Sequence, residues 1–130
     1  MRICVCGLHR EDAVKKLESA FETESVNVNY PGMEDNQYKL FHQAAETFKH
    51  FEKSDVIFDG GVFDDFKFYS DQGWADLQEQ VILSAISNLD KIIIITEGLD
   101  EKTIEFCKSF KELYQDKILV IPTANDFSIV

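Results

Sequence analysis

This chain of 130 residues is poor in arginine, cysteine and proline, and it has no long apolar run. The only arginines are Arg2 and Arg10. Phosphoryl transfer relies on cations that neutralise charge on the phosphate oxygens, so this scarcity argues against that chemistry. The longest purely apolar stretch, Ile92–Ile95, is far short of the roughly 20 residues of a membrane helix. The sequence opens on a strand-like run, so no signal peptide is expected and the expected compartment is the cytoplasm. Three cysteines are an odd set for a disulfide framework. Cys4 and Cys6 alternate along the opening run and so share one face, and Cys107 falls on a predicted helix. All three are expected as buried free thiols, since Cys-x-Cys on a strand is a weak metal signal. The two prolines serve as punctuation, Pro31 in a turn and Pro122 after a strand. There are no repeats, low-complexity segments or linkers, and no Ser-His-Asp or Cys-His arrangement. No catalytic residue and no metal ligand are assigned.

Acid is what the chain has in excess. Twenty-four Asp and Glu face 13 Lys and Arg, for a formal net charge of −11 and a pI near 4.6. The acids are spread along the whole chain and form no tail. Nucleic acid and anionic membrane both require basic surface, so neither is expected as a direct partner. A protein with a basic surface, including one that normally holds nucleic acid, is the expected partner. Hydrophobic content of 45% with 11 Phe suits a globular core, and the length suits one domain over 1–130.

The first twenty-one residues organise the rest. Arg2–Cys6 reads as a strand, Gly7 as its exit and Leu8–Asp12 as a polar loop. Ala13–Phe21 then carries Val14, Leu17 and Ala20/Phe21 at helical spacing. Ser25–Tyr30 alternates polar and apolar, as a half-exposed strand near a sheet edge would. From Asn36 to Lys53, Tyr38, Phe41, Ala44/Ala45, Phe48 and Phe51 recur every three or four residues, which predicts a helix with an aromatic face. His42 and His50 fall off that stripe and are expected in solvent. Val56–Asp59 reads as a buried strand, and Gly60-Gly61 lets the chain leave it tightly. Gly73–Leu89 reads as a helix with Trp74, Leu77, Val81, Ala85 and Leu89 inward. Lys91–Thr96 reads as a central parallel strand because both of its faces are apolar. Asp100–Tyr114 reads as a third long helix and Ile118–Ile121 as a last strand, with little signal in the tail from Thr123.

Strands alternating with helices predict a parallel sheet with right-handed crossovers and helices on both faces. Ligands in such sheets lie beyond the carboxyl ends of the strands. That rule gathers the Gly7–Asp12 loop, Asp59–Gly61 and Thr96–Gly98 around one crevice, with Gly7, His9, Arg10 and Asp59 as candidate ligand-binding residues.

Several pieces in order resemble the small P-loop nucleotide kinases, the nucleoside and deoxynucleoside monophosphate kinase-like ATPase domains, including those found in phage genomes. Ile3-Cys4-Val5-Cys6-Gly7 is similar to the first strand entering the P-loop. Gln37 through Phe51 is similar to the helix before the second motif. Val56-Ile57-Phe58-Asp59, then Phe63-Asp64-Asp65 and Phe68-Tyr69, resembles the strand followed by Asp-Arg, a second Asp and an aromatic. Leu89-Asp90-Lys91 resembles the acid ahead of the fourth strand, and Lys117–Pro122 the last strand. The resemblance implies an α/β three-layer sandwich with a mostly parallel five-stranded sheet, here without the lid.

The departures fall on the parts that hold phosphate. In G-x-x-x-x-G-K-[ST] the amides cradle phosphate, the Lys reaches the outer phosphates and the Ser/Thr binds magnesium. Counted from Gly7, those places hold Asp12, Ala13 and Val14. Glu11 and Asp12 put carboxylates where a triphosphate would sit. Like charges about 4 Å apart repel by roughly 4 kcal/mol at an effective dielectric near 20. Asp12 is expected instead as a helix cap or dipole partner. The Arg of Asp-Arg is replaced by Gly60.

The resemblance and its departures together imply a non-catalytic protein that works through protein binding, in the manner of a phage or mobile-element inhibitor of a host defence system. Asp64, Asp65, Phe66, Phe68, Tyr69, Asp71 and Trp74 are the candidate interface, since aromatics flanked by charge make interface anchors. No cofactor is expected, a nucleotide being the one candidate. The alternatives are a nucleotide- or anion-binding sensor using His9 and Arg10, and an enzyme similar to the nucleoside 2-deoxyribosyltransferases. In the second, Asp59, Asp71 with Gly73, and Glu79 would supply the acids and a carboxylate would attack the sugar.

Overall fold

Apolar runs without polar alternation fold here as parallel strands covered on both faces. The computed structural model describes residues 1–27, 36–60 and 83–126, with backbone alone at 36–41. Its strands are β1 (Arg2–Cys6), β2 (Val56–Asp59), β3 (Lys91–Ile95) and β4 (Ile118–Ile121). They form one sheet in the order β2-β1-β3-β4, and every pair is parallel. The described helices are α1 (Glu11–Phe21), α2 (Asn36–Lys49), α3 (residues 83–88) and α4 (Glu101–Leu113).

Side-chain alternation along each strand divides the core in two. Ile3 and Val5 of β1, Ile57 of β2 and Ile93 and Ile95 of β3 meet Ala13, Val14 and Leu17 of α1. Cys4, Cys6, Val56, Phe58, Ile92, Ile94 and Ile118 point the other way, onto Ala44 of α2, Ala85 and Ile86 of α3, and Cys107 and Phe110 of α4. Each fully buried Ile contributes about 1.5–3 kcal/mol, so the all-isoleucine core of β3 anchors both layers. The division follows from crossover handedness. After β1 the chain moves outward to the β2 edge, then turns back across the sheet to β4. Right-handed crossovers send helices to opposite faces when the direction of travel reverses.

The sheet differs from the expected five strands: among the described residues it has four. The stretch expected as a strand from Ser25 to Tyr30 makes, in its described part, one parallel bridge, Val26 to Phe58. Val26 N donates to Ile57 O and Asp59 N to Val26 O, each at 2.8 Å. The cause lies at the end of α1. Glu22 sits at a left-handed φ of 51°, Thr23 N returns to Glu18 O, and Ser25 N donates to the Glu18 carboxylate. The turn uses those donors, so pairing with β2 starts only at Val26.

The other elements stand close to their predicted places. α1 starts two residues before Ala13. α2 stops at Lys49 rather than Lys53, and the chain tightens into a 3-10 turn over His50–Glu52. His42 is exposed as expected. His50 is not in open solvent: it is half-buried, with its ring edge-on to Phe58 at 6.1 Å between centroids. Asp100 and Tyr114 prove to be the caps of α4, the Asp100 carboxylate accepting from Thr103 N at 2.8 Å. Of the helix expected over Gly73–Leu89, the described part is helical at 83–88. Residues 61–82, including the expected aromatic-acidic stretch, lie outside the described residues. All three cysteines are buried free thiols. No helix among the described residues is long and apolar enough to cross a membrane.

Candidate functional site

β1 lies between strands reached in opposite directions of travel, and the chain leaves its carboxyl end into the loop ahead of α1. This switch point is where an open α/β sheet leaves a crevice. Gly7 sets the loop's path. Its φ of 121° is outside the range L-residues adopt, and a Cβ there would run into the Ile95 carbonyl oxygen. Leu8 is 67% exposed at the tip, and it and His9 lie over Gly98.

Arg10 turns the opposite way. Its Nη1 donates to Gly7 O at 2.7 Å and its Nε to Asp59 Oδ1 at 2.6 Å. The pair is largely withdrawn from water, at 18% and 31% side-chain exposure. Three of the four candidate ligand residues (Gly7, Arg10 and Asp59) are thus brought together, with Arg10 bridging the other two. His9 diverges from them and faces a separate cavity.

That cavity, of about 380 Å³, is lined by Leu8, His9, Glu11 and Asp12 on one side and Glu97 on another. The turn Thr123–Asn125 closes it. Among the described residues no ion pair engages Glu11, Asp12 or Glu97, and no cluster of three or more His, Cys, Asp or Glu could hold a metal ion.

Asp12 does not cap α1. The N-cap is Arg10, which has a helical backbone and no side-chain capping bond. The helix begins two residues earlier than a cap at Asp12 allows. Glu11 and Asp12 therefore occupy the first turn, where carboxylates meet the positive end of the helix dipole.

Glu97 belongs to Thr96–Gly98, a stretch that strand order places at the crevice, whereas the turn after β4 is missing from the sequence-derived site. A signal for the turn does exist: Thr123 and Asp126 have the spacing of a side-chain-closed turn. Thr123 N and Oγ1 both donate to Asp126 Oδ2, at 3.1 and 2.9 Å. Lys16 Nζ reaches Ala124 O at 3.3 Å and ties the turn to α1. The seven candidate interface residues, Asp64 through Trp74, and the acids Asp71 and Glu79 lie outside the described residues. Comparisons with family models, curated proteins and solved structures give no match, so they assign no family.

Proposed function

We propose that this chain is a non-catalytic, P-loop-kinase-like domain that acts by binding a protein with a basic surface. The observation that carries the reading is the charge at the start of α1. Glu11, Asp12 and Glu97 surround the cavity where a phosphate-binding loop would present amides and a lysine. The one arginine of the loop is directed at Asp59. A basic side chain entering this cavity meets three carboxylates, and a phosphate meets the same three with the sign reversed. A partner surface that otherwise holds nucleic acid has the matching charge, so blocking such a surface is the activity we assign.

The test is capture from the native cell lysate on immobilised chain. A retained protein should be basic and should elute as salt rises, because screening weakens exposed charge pairs. The triple variant Glu11→Gln, Asp12→Asn, Glu97→Gln should lose it. Equal retention by the triple variant overturns the assigned surface. Saturable binding of magnesium-ATP, with transfer to an acceptor, overturns the non-catalytic reading.

A further inference from the structure

Two buried nucleophiles stand directly behind the loop and take no part in the surface just described. The Sγ atoms of Cys4 and Cys6 are 3.5 Å apart, on the α2 face of β1, and both side chains are buried. We propose that Cys4 and Cys6 are a reversible redox pair, which a peroxide closes into a disulfide and which thereby shifts Gly7 and loosens the Arg10–Asp59 contact. This does not depend on what the acidic cavity binds.

The bond forms only if the end of the strand bends, because same-face side chains of a strand keep their Cβ atoms beyond the roughly 3.5–4.5 Å of a disulfide. Alternate residues of a strand are about 6.6 Å apart at roughly 3.3 Å per residue. Disulfides span Cα separations of about 4.4–6.8 Å. The pair is at the upper limit, so the bond forms under strain, and strained disulfides are the readily reduced ones. That is the behaviour of a switch and not of a staple.

The two residues differ in freedom to move. Cys4 is mid-strand, paired in register with Phe58 on one side and Ile92 on the other. Cys6 is the last residue of β1, paired in register with Ile94 on the β3 side, and is followed by Gly7, whose backbone lacks a Cβ to restrict it. Closing the pair therefore draws Cys6 toward Cys4 and carries Gly7 along. The Gly7 carbonyl is the acceptor for Arg10 Nη1, and Cys4 Sγ itself lies 3.6 Å from Gly60 O, next to Asp59.

In the first step one thiolate attacks a peroxide oxygen. The O–O bond breaks, water leaves after protonation, and a sulfenic acid remains. The second thiolate then attacks that sulfur. The S–S bond forms, the S–O bond breaks and a second water leaves. The two sulfurs lose two electrons and the peroxide gains them.

The test treats the folded full chain with hydrogen peroxide, blocks remaining thiols with iodoacetamide and maps tryptic peptides by mass. Cys4 and Cys6 share the peptide Ile3–Arg10. The expected result is loss of two hydrogens from that peptide, in the wild type and in Cys107→Ser. Dithiothreitol should reverse it, and Cys4→Ser and Cys6→Ser should lack it. Trypsin should cut after Arg10 several-fold faster in the oxidised wild type, with no such change in peroxide-treated Cys6→Ser. Full alkylation of all three thiols after peroxide overturns the proposal, as does a bond to Cys107 or oxidation to sulfinic acid. An unchanged rate of cutting at Arg10 overturns its loop half. Wild-type mapping decides the first point even where a cysteine variant fails to fold.

Discussion

At the amino end of the sheet, basic side chains turn inward onto backbone carbonyls; at the carboxyl end, acids stay at the surface around a cavity. The Arg2 guanidinium donates to the carbonyls of Phe51, Lys53 and Asn88, and lies 5.3 Å from the centre of the Phe51 ring. Lys117 Nζ donates to Ile86 O and Ser87 O at 3.0 and 3.2 Å. Lys91 reaches Asp116 O, and Lys111 reaches Ile118 O, each at 2.8 Å. Helices finish at this end, so their last carbonyls lack intrahelical partners and the negative end of each dipole faces outward. At the opposite end Glu11 and Asp12 occupy the first turn of α1, and at α4 Asp100 is the cap and Glu101 lies in the first turn. In an all-parallel sheet every connecting helix runs the same way, so these local preferences add up. Among the described residues, helix polarity thus places bonded cations at one end of the sheet and first-turn acids at the other.

The comparison can be broken at either end. The largest effect is expected at Gly7, where alanine must adopt a φ of 121° and place its Cβ against the Ile95 carbonyl oxygen. Ile95 is held in register with Ile121 of β4, so its backbone does not yield easily to the added Cβ. Gly7→Ala should lower the urea unfolding free energy by about 3 kcal/mol or more. A cost under about 1 kcal/mol would mean that the close β1–β3 approach does not set the crevice.

At the amino end, Arg2→Met keeps the apolar stem and removes the guanidinium. The carbonyls of Phe51, Lys53 and Asn88 lose their donor. The expected loss is about 2 kcal/mol, read as a lower urea midpoint at unchanged slope. A loss within about 0.5 kcal/mol would show that water serves those carbonyls as well as the arginine does, and the contrast between the ends would be one of position only.

Much of this frame is written in short-range pattern. The isoleucines of β3 have no polar alternation, and only a strand covered on both faces tolerates that. β2 and β4 are bounded where the apolar runs stop, and α4 lies between an acidic cap and Tyr114 as its periodicity requires. The misses are long-range. Whether Val26 begins a strand depends on how Glu18 ends α1 and on which edge lies nearby, and no periodicity carries either. The helix cap falls on Arg10 and not Asp12 because Arg10 is drawn toward Asp59, 49 residues away. The loop residues were legible as a group, since Gly7, Arg10 and Asp59 do meet. Their partition was not: His9 faces the acidic cavity while Arg10 turns from it, a matter of side-chain direction around one exposed loop. Glu97 is reached through strand order, within Thr96–Gly98, whereas Thr123–Asn125 offers a turn signal but nothing that says which cavity the turn borders.

The smallest of the three stability effects should be that of Asp59→Asn, and it discriminates most finely between the ends. Arg10 Nε keeps an oxygen acceptor of similar shape but loses the charge-assisted partner, and Gly7 O still accepts from Nη1. A loss of about 1 kcal/mol is expected, below that of Arg2→Met, because one neutral hydrogen bond replaces a stronger one and no buried carbonyl is orphaned. The local effect should exceed the global one. Trypsin cuts after Arg10 only once that segment leaves its place, so cleavage there should quicken several-fold while cleavage after Lys91, at the start of β3, should not. If Asp59→Asn proves as costly as Arg2→Met, the carboxyl end depends on its single cation as heavily as the amino end depends on its several. The acids around the cavity would then be held in a framework of paired charge and would not form an open negative face.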